Sequence, residues 1–236
     1  MTTERAEALR PDSGSPTRPT VVAFDVNETL LDLAPVRAAL VELGQPADLL
    51  TAVFSRTLLT GFAAATAGTW CRFRDAFDAA LAQATDLDGP ARSQVADTFL
   101  QLAPHPDVEP ALRRLVEGGV RVVTLTHGSP GVAEAGLERG GVTPLVERSL
   151  SSEVIRAWKP AREVYLWAAG VCDVEPARLA LVAAHGWDVH GALRAGLSAA
   201  WFPRSERVYP AVYDPAAIVA GDLAGAVDAL LSLPAR

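Results

Sequence analysis

Cysteine, clustered basic residues and long apolar runs are all scarce in this chain of 236 residues. Its two cysteines, Cys71 and Cys172, lie far apart and show no metal-ligand spacing, so no disulfide is needed and a reducing compartment is expected. Arginine and lysine are scattered rather than clustered, and the formal net charge is −7. These features argue against nucleic acid as a partner, because nucleic-acid-binding proteins concentrate positive charge on one surface.

Features of a secretory signal and of a membrane span are also lacking. The N-terminal residues include Glu4, Arg5, Glu7 and Arg10 instead of the apolar core of a signal peptide. The uncharged stretch at residues 57–71 is short and rich in Ala, Gly and Thr, which makes it a poor membrane span. We therefore expect a cytoplasmic protein that does not associate with membranes.

Alternating strand and helix patterns dominate the chain after residue 19. Residues 1–19 are polar and rich in Pro, Ser and Gly, which predicts a disordered tail. Short apolar runs predict buried strands at 21–24, 120–126, 179–184, 198–202 and 218–219. Helical patterns that end at glycine lie between them, at 110–117, 162–169 and 191–195. This alternation predicts an α/β fold with a Rossmann-like, doubly wound parallel sheet.

The interval from residue 35 to residue 104 breaks this alternation. It shows four helical patterns and no convincing strand, with helices predicted at 36–43, 47–65, 72–84 and 90–103. Asp88 is a candidate N-cap of the last helix, and Pro90 lies at its start. The sequence therefore predicts an all-helical cap at 35–104, inserted into a core formed by residues 20–34 and 105–236.

Polar residues directly follow the predicted strands. In open parallel sheets, ligands bind outside the carboxyl ends of the strands. The residues at those ends, together with a lysine that precedes a helix, are Asp25, Asn27, Thr29, Thr126, His127, Ser129, Lys159, His185, Trp187 and Asp188. Each of them alone could be an ordinary turn or cap residue. Together they predict a polar site with two carboxylates and one cation.

The order of these residues resembles the haloacid dehalogenase superfamily. The resemblance lies in Phe24-Asp25-x-x-x-Thr29-Leu30, a strand that ends in Thr126, the pair Lys159-Pro160, and an apolar strand leading to Asp188. It covers essentially the whole chain after the tail, and the helical insert is similar to the cap of that family. The resemblance implies that Asp25 is the nucleophile.

Two differences from the phosphatases of this superfamily favour attack on carbon. Those enzymes resemble Asp-x-Asp at the first motif, where the second acid protonates the leaving alcohol, and this chain has Asn27 there. An acid that helps to hold Mg²⁺ in them is Ala184 here, and a hard cation needs several oxygen ligands. A leaving halide needs neither group. The chain therefore resembles the type II 2-haloacid dehalogenases, and we expect neither a metal nor another cofactor.

The resemblance implies a two-step mechanism on a small 2-halocarboxylate. The Asp25 carboxylate displaces the halide at C2 with inversion and forms an ester. Water positioned by Asp188 then hydrolyses that ester. Lys159 keeps the carboxylates ionised and oriented, and Thr29 orients Asp25.

Several further residues are expected to contact the substrate. Thr126 and Ser129 are candidates to receive its carboxylate near a helix start. Tyr165 follows Lys159 by six residues, as in these dehalogenases. Trp187 and Arg56 are candidates for the aromatic residue and the cap arginine that hold the halide, and Arg56 is also typical of a solvated surface residue.

Three positions depart from the dehalogenase pattern, so the sequence does not determine the identity of the leaving group. Histidines at 127 and 185 replace amides, and Asn27 replaces an aromatic residue. Imidazoles could donate hydrogen bonds or tune proton transfer, or they could be inert. The alternatives are a fluoride leaving group, a hydrolase that opens a strained ring acid such as azetidine-2-carboxylate, a phosphatase with a degenerate Mg²⁺ site, and a non-catalytic carboxylate-binding protein. The apolar helical cap also makes a homodimer plausible.

Overall fold

The computed structural model of the protein describes residues 17–235. The disordered tail predicted at 1–19 lies outside the described residues except for its last three. There the prediction is wrong, because the backbone N–H of Arg18 donates to the carbonyl of Pro234 at 3.0 Å and its guanidinium donates to the carbonyl of Gly118. The chain is therefore ordered before its first strand begins.

A parallel six-stranded sheet forms the centre of the fold, which confirms the predicted fold class. The strands of the described residues are β1 (Val21–Phe24), β2 (Leu31–Asp32), β3 (Ala103–Pro104), β4 (Arg121–Thr126), β5 (Arg148–Ser151), β6 (Leu179–Ala183), β7 (Ser198–Trp201) and β8 (Ile218–Val219). The order in the main sheet is β5-β4-β1-β6-β7-β8, with all pairs parallel. Strand β1 lies between β4 and β6, and its four residues are fully buried.

Helices cover both faces of this sheet and fill the interval between β2 and β3. Their bounds are α1 (Ala34–Glu42), α2 (Leu49–Thr66), α3 (Phe73–Ala84), α4 (Gly89–Asp97), α5 (Val108–Glu117), α6 (Pro130–Arg139), α7 (Arg162–Val171), α8 (Gly186–Ala195) and α9 (Leu223–Leu231). The helix predicted at 191–195 thus begins five residues earlier, at Gly186. The edge strand β5 was not predicted, because its sequence Arg-Ser-Leu-Ser is short and mostly polar.

Helices α1 to α4 occupy the interval predicted to be the cap. The Asp88 side chain accepts a hydrogen bond from the backbone N–H of Ala91 at 2.9 Å, which confirms the predicted N-cap of α4. Two details were wrong. Helix α4 ends at Asp97 and continues as a 3₁₀ turn at Thr98–Gln101, and β3 pairs antiparallel with β2. The division into core and cap at residues 35 and 104 stays a prediction.

Among the helices of residues 17–235, α2 alone has the length and composition of a membrane span. The sequence had predicted that residues 57–71, which overlap the second half of α2, would make a poor membrane span. Length and composition alone are weak evidence of a membrane span, because a helix packed in a protein core can share both properties. The buried face of α2 carries Phe54, Thr57 and Gly61. A Cβ atom at Gly61 would overlap the ring of Trp158, so glycine allows α2 to approach the core closely at this point.

Candidate active site

The nucleophile candidate Asp25 directly follows β1 at the carboxyl end of the sheet. Its backbone N–H donates to the carbonyl of Val182 at 3.1 Å, so the β1–β6 pairing continues one residue beyond the strand. The sheet therefore fixes the backbone of Asp25, whose side chain is almost completely buried.

Both carboxylate oxygens of Asp25 accept hydrogen bonds. Lys159 Nζ lies 2.8 Å from Oδ1, and the Thr29 hydroxyl lies 2.7 Å from Oδ2. The Thr29 oxygen itself accepts a bond from the backbone N–H of Ala184 at 3.0 Å, so its own hydrogen points to Asp25. This arrangement matches the orienting role predicted for Thr29.

Lys159 is the one lysine in a chain with 20 arginines. Its ammonium is fully buried and has three acceptors, namely Asp25 Oδ1 at 2.8 Å, Asp188 Oδ2 at 2.5 Å and the carbonyl of Leu125 at 2.9 Å. A compact ammonium with three donors fits this surrounding, whereas a planar guanidinium does not. Burial lowers the pKa of Lys159, but attraction by Asp188 and Asp25 outweighs it and the net pKa is raised.

The pKa of Asp25 is shifted in the direction that a nucleophile requires. Burial raises this pKa, but the charge of Lys159, the neighbouring His185 and the hydrogen bond from Thr29 outweigh burial, so the net pKa is lowered. Asp25 is therefore ionised at neutral pH.

Asp188 lies beneath Lys159 and is completely buried. Its Oδ1 accepts a hydrogen bond from the Tyr165 hydroxyl at 2.6 Å, and its Oδ2 contacts Lys159. Burial raises the pKa of Asp188 even though Lys159 opposes this shift. The prediction that Tyr165 contacts substrate is wrong, because its side chain is fully buried against Asp188.

The two histidines that replace amides lie beside this network. His127 packs against Trp158 and Trp187, with ring centroids 4.5 and 5.6 Å away, and neither of its ring nitrogens has a partner within residues 17–235. Burial, and then repulsion by Lys159, lowers the pKa of His127 well below its usual value. His127 is therefore a neutral imidazole with one N–H available.

His185 lies among three carboxylates. Its Nε2 is 3.9 Å from Asp25 Oδ2 and 3.6 Å from Glu28 Oε2, and its Nδ1 is 4.0 Å from Glu206 Oε1. Glu28 adopts a left-handed backbone conformation with φ of 63°, and burial raises its pKa. The sequence analysis missed both glutamates. Glu28 lies within the first motif but is not one of its recognised positions, and Glu206 lies in a loop that has no pattern.

A cavity of about 220 Å³ lies beside Asn27, between α3 and the start of α6. Its lining includes Asn27, Gly128, Ser129 and Arg72. The Asn27 amide oxygen is buried and has no partner in the described part of the chain. Ser129 is exposed at the start of α6, whereas the buried Thr126 oxygen accepts the N–H of Gly128 at 3.1 Å. Ser129 and Asn27 can therefore contact a ligand, and Thr126 shapes the turn beside it.

A second cavity, of about 410 Å³, lies between α2 and the residues that follow β1 and β6. His185, Trp187, Glu28 and Glu206 line it from the core side, and Phe54 and Phe62 are among the residues that line it from α2. This opening is acidic and aromatic, and Arg37 is the one cation in its lining among the described residues.

Arg56 does not belong to either cavity, so the assignment of this residue to the halide site is wrong. It is exposed, and its guanidinium donates to the Gln83 side chain at 3.1 Å. Phe54 and Thr57 face inward on the same helix, and the 100° turn between successive residues carries Arg56 to the outer side. A sequence match with a gap could not determine which side of α2 a residue occupies.

The donor set does not fit a Mg²⁺ ion. No group of three or more metal-binding side chains is found in the described range 17–235. Position 184 is alanine, and the Lys159 ammonium already bridges Asp25 and Asp188. The positive charge beside the nucleophile is thus supplied by a lysine.

Comparisons with known proteins agree with this architecture. The haloacid dehalogenase-like hydrolase family matches residues 19–196. An (S)-2-haloacid dehalogenase from Pseudomonas sp. (strain YL) is 30% identical over 124 residues, which are 52% of this chain and 53% of that protein, so this chain spans about half the length of that relative. An (S)-2-haloacid dehalogenase 1 from Pseudomonas sp. (strain CBS-3) is 27% identical over 184 residues, 72% of this chain and 78% of that one.

A solved structure shares the fold. The L-2-haloacid dehalogenase from Xanthobacter autotrophicus, with chloropropionic acid covalently bound, superposes with a TM-score of 0.82. The alignment covers 91% of this chain and 99% of that one, at 22% identity. At this identity the similarity concerns the fold alone.

Proposed function

The chain belongs to the haloacid dehalogenase-like hydrolases, and we propose that it is a metal-independent hydrolase of small 2-halocarboxylates such as chloroacetate and 2-chloropropionate. The observation that carries this proposal is the pairing of an ionised Asp25 with Lys159 and Thr29, in a site that has Asn27 where a phosphatase would need an acid. The relatives named above act on 2-haloacids, which supports the same substrate class.

In the first step, a carboxylate oxygen of Asp25 attacks C2 of the substrate and the halide leaves. A halide is a stable anion, so no proton donor is required. The product is an ester between Asp25 and the carboxyalkyl group, with inverted configuration at C2. The covalently bound chloropropionic acid in the Xanthobacter autotrophicus structure supports a covalent step here.

The two cavities support an orientation for the substrate. Its carboxylate would lie toward the smaller cavity, where the exposed Ser129, the Gly128 backbone and Arg72 offer donors and positive charge. The halide would lie near Trp187 and the ring nitrogens of His127, which have no partner among residues 17–235. Apolar contacts and a neutral N–H donor suit a departing halide.

A panel of 2-haloacids tests this proposal. Wild type and Asp25→Asn would be incubated with chloroacetate, both enantiomers of 2-chloropropionate and fluoroacetate, each with and without EDTA. We expect halide release by wild type alone, unaffected by EDTA, with a 2-hydroxy acid of inverted configuration as product. Mg²⁺-dependent release of phosphate from an aryl phosphate, without halide release, would contradict the proposal.

The acidic cavity favours a second candidate function, the opening of a strained ring acid such as azetidine-2-carboxylate. Glu28 and Glu206 would attract the ring ammonium, and Arg56 does not reach the site to favour a halide. Attack at C2 would break the C2–N bond and give 4-amino-2-hydroxybutyrate. Detection of this product without halide release from the panel would replace the first candidate by the second.

A cytoplasmic location and a homodimer also belong to this proposal. The exposed side chains of Leu59 on α2 and Leu100 beside α4 support pairing of two caps. Light scattering across a concentration series would test the homodimer, and a monomer at all concentrations would contradict it.

A further inference from the structure

Hydrolysis of the Asp25 ester requires a base that takes a proton from the attacking water. Asp188 is the residue predicted from the sequence to position this water. The structure describes Asp188 as fully buried, with Tyr165 on Oδ1 and Lys159 on Oδ2. Both of its carboxylate oxygens are thus already engaged inside the core. Asp188 therefore acts on Lys159, and another group must accept the proton.

His185 has the geometry of that base. Its Nε2 is buried, has no hydrogen-bond partner between residues 17 and 235, and lies 3.9 Å from Asp25 Oδ2. This separation is too long for a direct hydrogen bond, but one water molecule can contact both the nitrogen and the Asp25 carboxyl group. His185 also lines the larger cavity, from which water can enter.

The orientation of the imidazole is fixed from several sides. His185 directly precedes α8, and its ring packs against Trp187 and Phe54, with centroids 5.5 and 6.0 Å away. Glu206 lies behind Nδ1 and is itself held by the backbone N–H of Gly186 at 2.9 Å. A nucleophile, an imidazole and a carboxylate in this order are the arrangement that supports general base catalysis elsewhere.

The charged groups that surround the His185 ring are mostly carboxylates. Asp25, Glu28 and Glu206 face the ring, and Asp25 becomes neutral once it is esterified. Glu28 and Glu206 then remain to stabilise an imidazolium. The cations in these surroundings are Lys159, which is already paired with Asp188, and Arg37, which lines the larger cavity together with His185. His127 is neutral and adds no charge.

We propose that His185 is the general base of ester hydrolysis, an inference that rests on the proposed function. Water attacks Cγ of Asp25 while its proton passes to Nε2 of His185. The bond between Cγ and the ester oxygen then breaks, and the departing alkoxide of the 2-hydroxy acid takes the proton from His185. Asp25 regains a carboxylate with one oxygen from water, and its remaining proton leaves to solvent.

Single-turnover kinetics of His185→Ala test this role. Rapid quenching after mixing with the best substrate of the panel gives halide release, and mass spectrometry of the quenched protein gives the ester. We expect one equivalent of halide at close to the wild-type rate, followed by an ester that hydrolyses about 10²- to 10⁴-fold more slowly. Added imidazole should restore part of the hydrolysis rate, with a pH dependence set by the imidazole added.

His190→Gln is the matched control, since His190 lies on α8, the helix that follows His185, and its Nδ1 accepts a bond from the backbone N–H of Asp214. Both steps should keep their wild-type rates in this variant. Loss of the halide burst in His185→Ala, without ester accumulation, would overturn the inference and assign His185 to the leaving group. Normal rates of both steps would overturn it as well. If wild type itself released no halide from any substrate, the proposed function would fail first, and this inference with it.

Discussion

Replacement of Lys159 by methionine removes the one cation that two buried carboxylates share, while it keeps a side chain of similar length. The attraction between charges 2.8 Å apart is about 6 kcal/mol at an effective dielectric constant of about 20. Burial of the ammonium offsets part of this energy. Removal of one partner from a buried ion pair costs about 3–5 kcal/mol, because the other charge stays buried without compensation. We therefore expect Lys159→Met to lower the free energy of unfolding by about 3–5 kcal/mol at pH 7.

The pH dependence of this loss of stability tests whether the uncompensated charge of Asp25 causes it. In wild type the lowered pKa of Asp25 makes a stabilising contribution that is present above the unfolded value of 3.8 and is lost as pH falls through the folded value. Without Lys159, burial raises the pKa of Asp25 above 3.8, so the folded variant takes up a proton more readily than the unfolded chain. The difference in stability between variant and wild type should thus shrink between pH 7 and pH 5.

Urea denaturation at pH 7 and pH 5 measures these differences. At pH 7 the melting temperature should fall by about 2–4 °C for each kcal/mol lost. Asp25→Asn introduced together with Lys159→Met should recover part of the loss, because it removes one uncompensated charge. Arg148→Met, which removes an exposed cation, is the control and should leave the midpoint unchanged. A Lys159→Met variant as stable as wild type at both pH values would refute the reasoning.

Three further predictions follow from the same geometry. Arg56→Ala should leave halide release unchanged, because Arg56 contacts Gln83 outside the site. A decrease in kcat/KM of more than about tenfold would contradict this prediction and indicate that Arg56 contacts the substrate. Tyr165→Phe should cost about 1.5–3 kcal/mol in urea denaturation, because it removes a hydrogen bond to a charged carboxylate; an unchanged midpoint would mean that this bond contributes nothing. The free energy of unfolding of wild type should decrease below about pH 6.5. In that range His127 takes up a proton in the unfolded chain but stays neutral in the folded protein, because its folded pKa is lowered. His127→Gln should reduce this dependence, and an unaltered slope would point to another group.

The fold could be predicted where side-chain burial leaves a pattern in the sequence. Strands β1, β4 and β6 are buried on both faces and therefore appear as continuous apolar runs. Strand β5 lies at the edge, with Arg148 exposed, and its four residues carry no such run. The 3₁₀ turn at Thr98–Gln101 continues a helical pattern, and so the end of α4 could not be located from the sequence.

The candidate site could be predicted where a residue follows a strand directly. Asp25 directly follows β1, and Asp188 lies in the first turn of α8 after β6; they meet at Lys159 because β1 and β6 are neighbours in the parallel sheet. Arg56 could not be placed, since its position depends on the rotation of α2 over the core. Glu206 could not be found either, because it belongs to a loop that reaches His185 only through the tertiary fold.

The ammonium of Lys159 explains why a second, fully buried carboxylate lies near the nucleophile. In the free enzyme Lys159 is shared by Asp25 and Asp188. Esterification of Asp25 removes one of these negative charges, and a site with Asp25 alone would then hold an unpaired buried cation, which is costly. Asp188 keeps that cation paired throughout the reaction, and Tyr165 keeps Asp188 in place. In the proposed mechanism Asp188 therefore lowers the energy of the intermediate through Lys159, from a fully buried position.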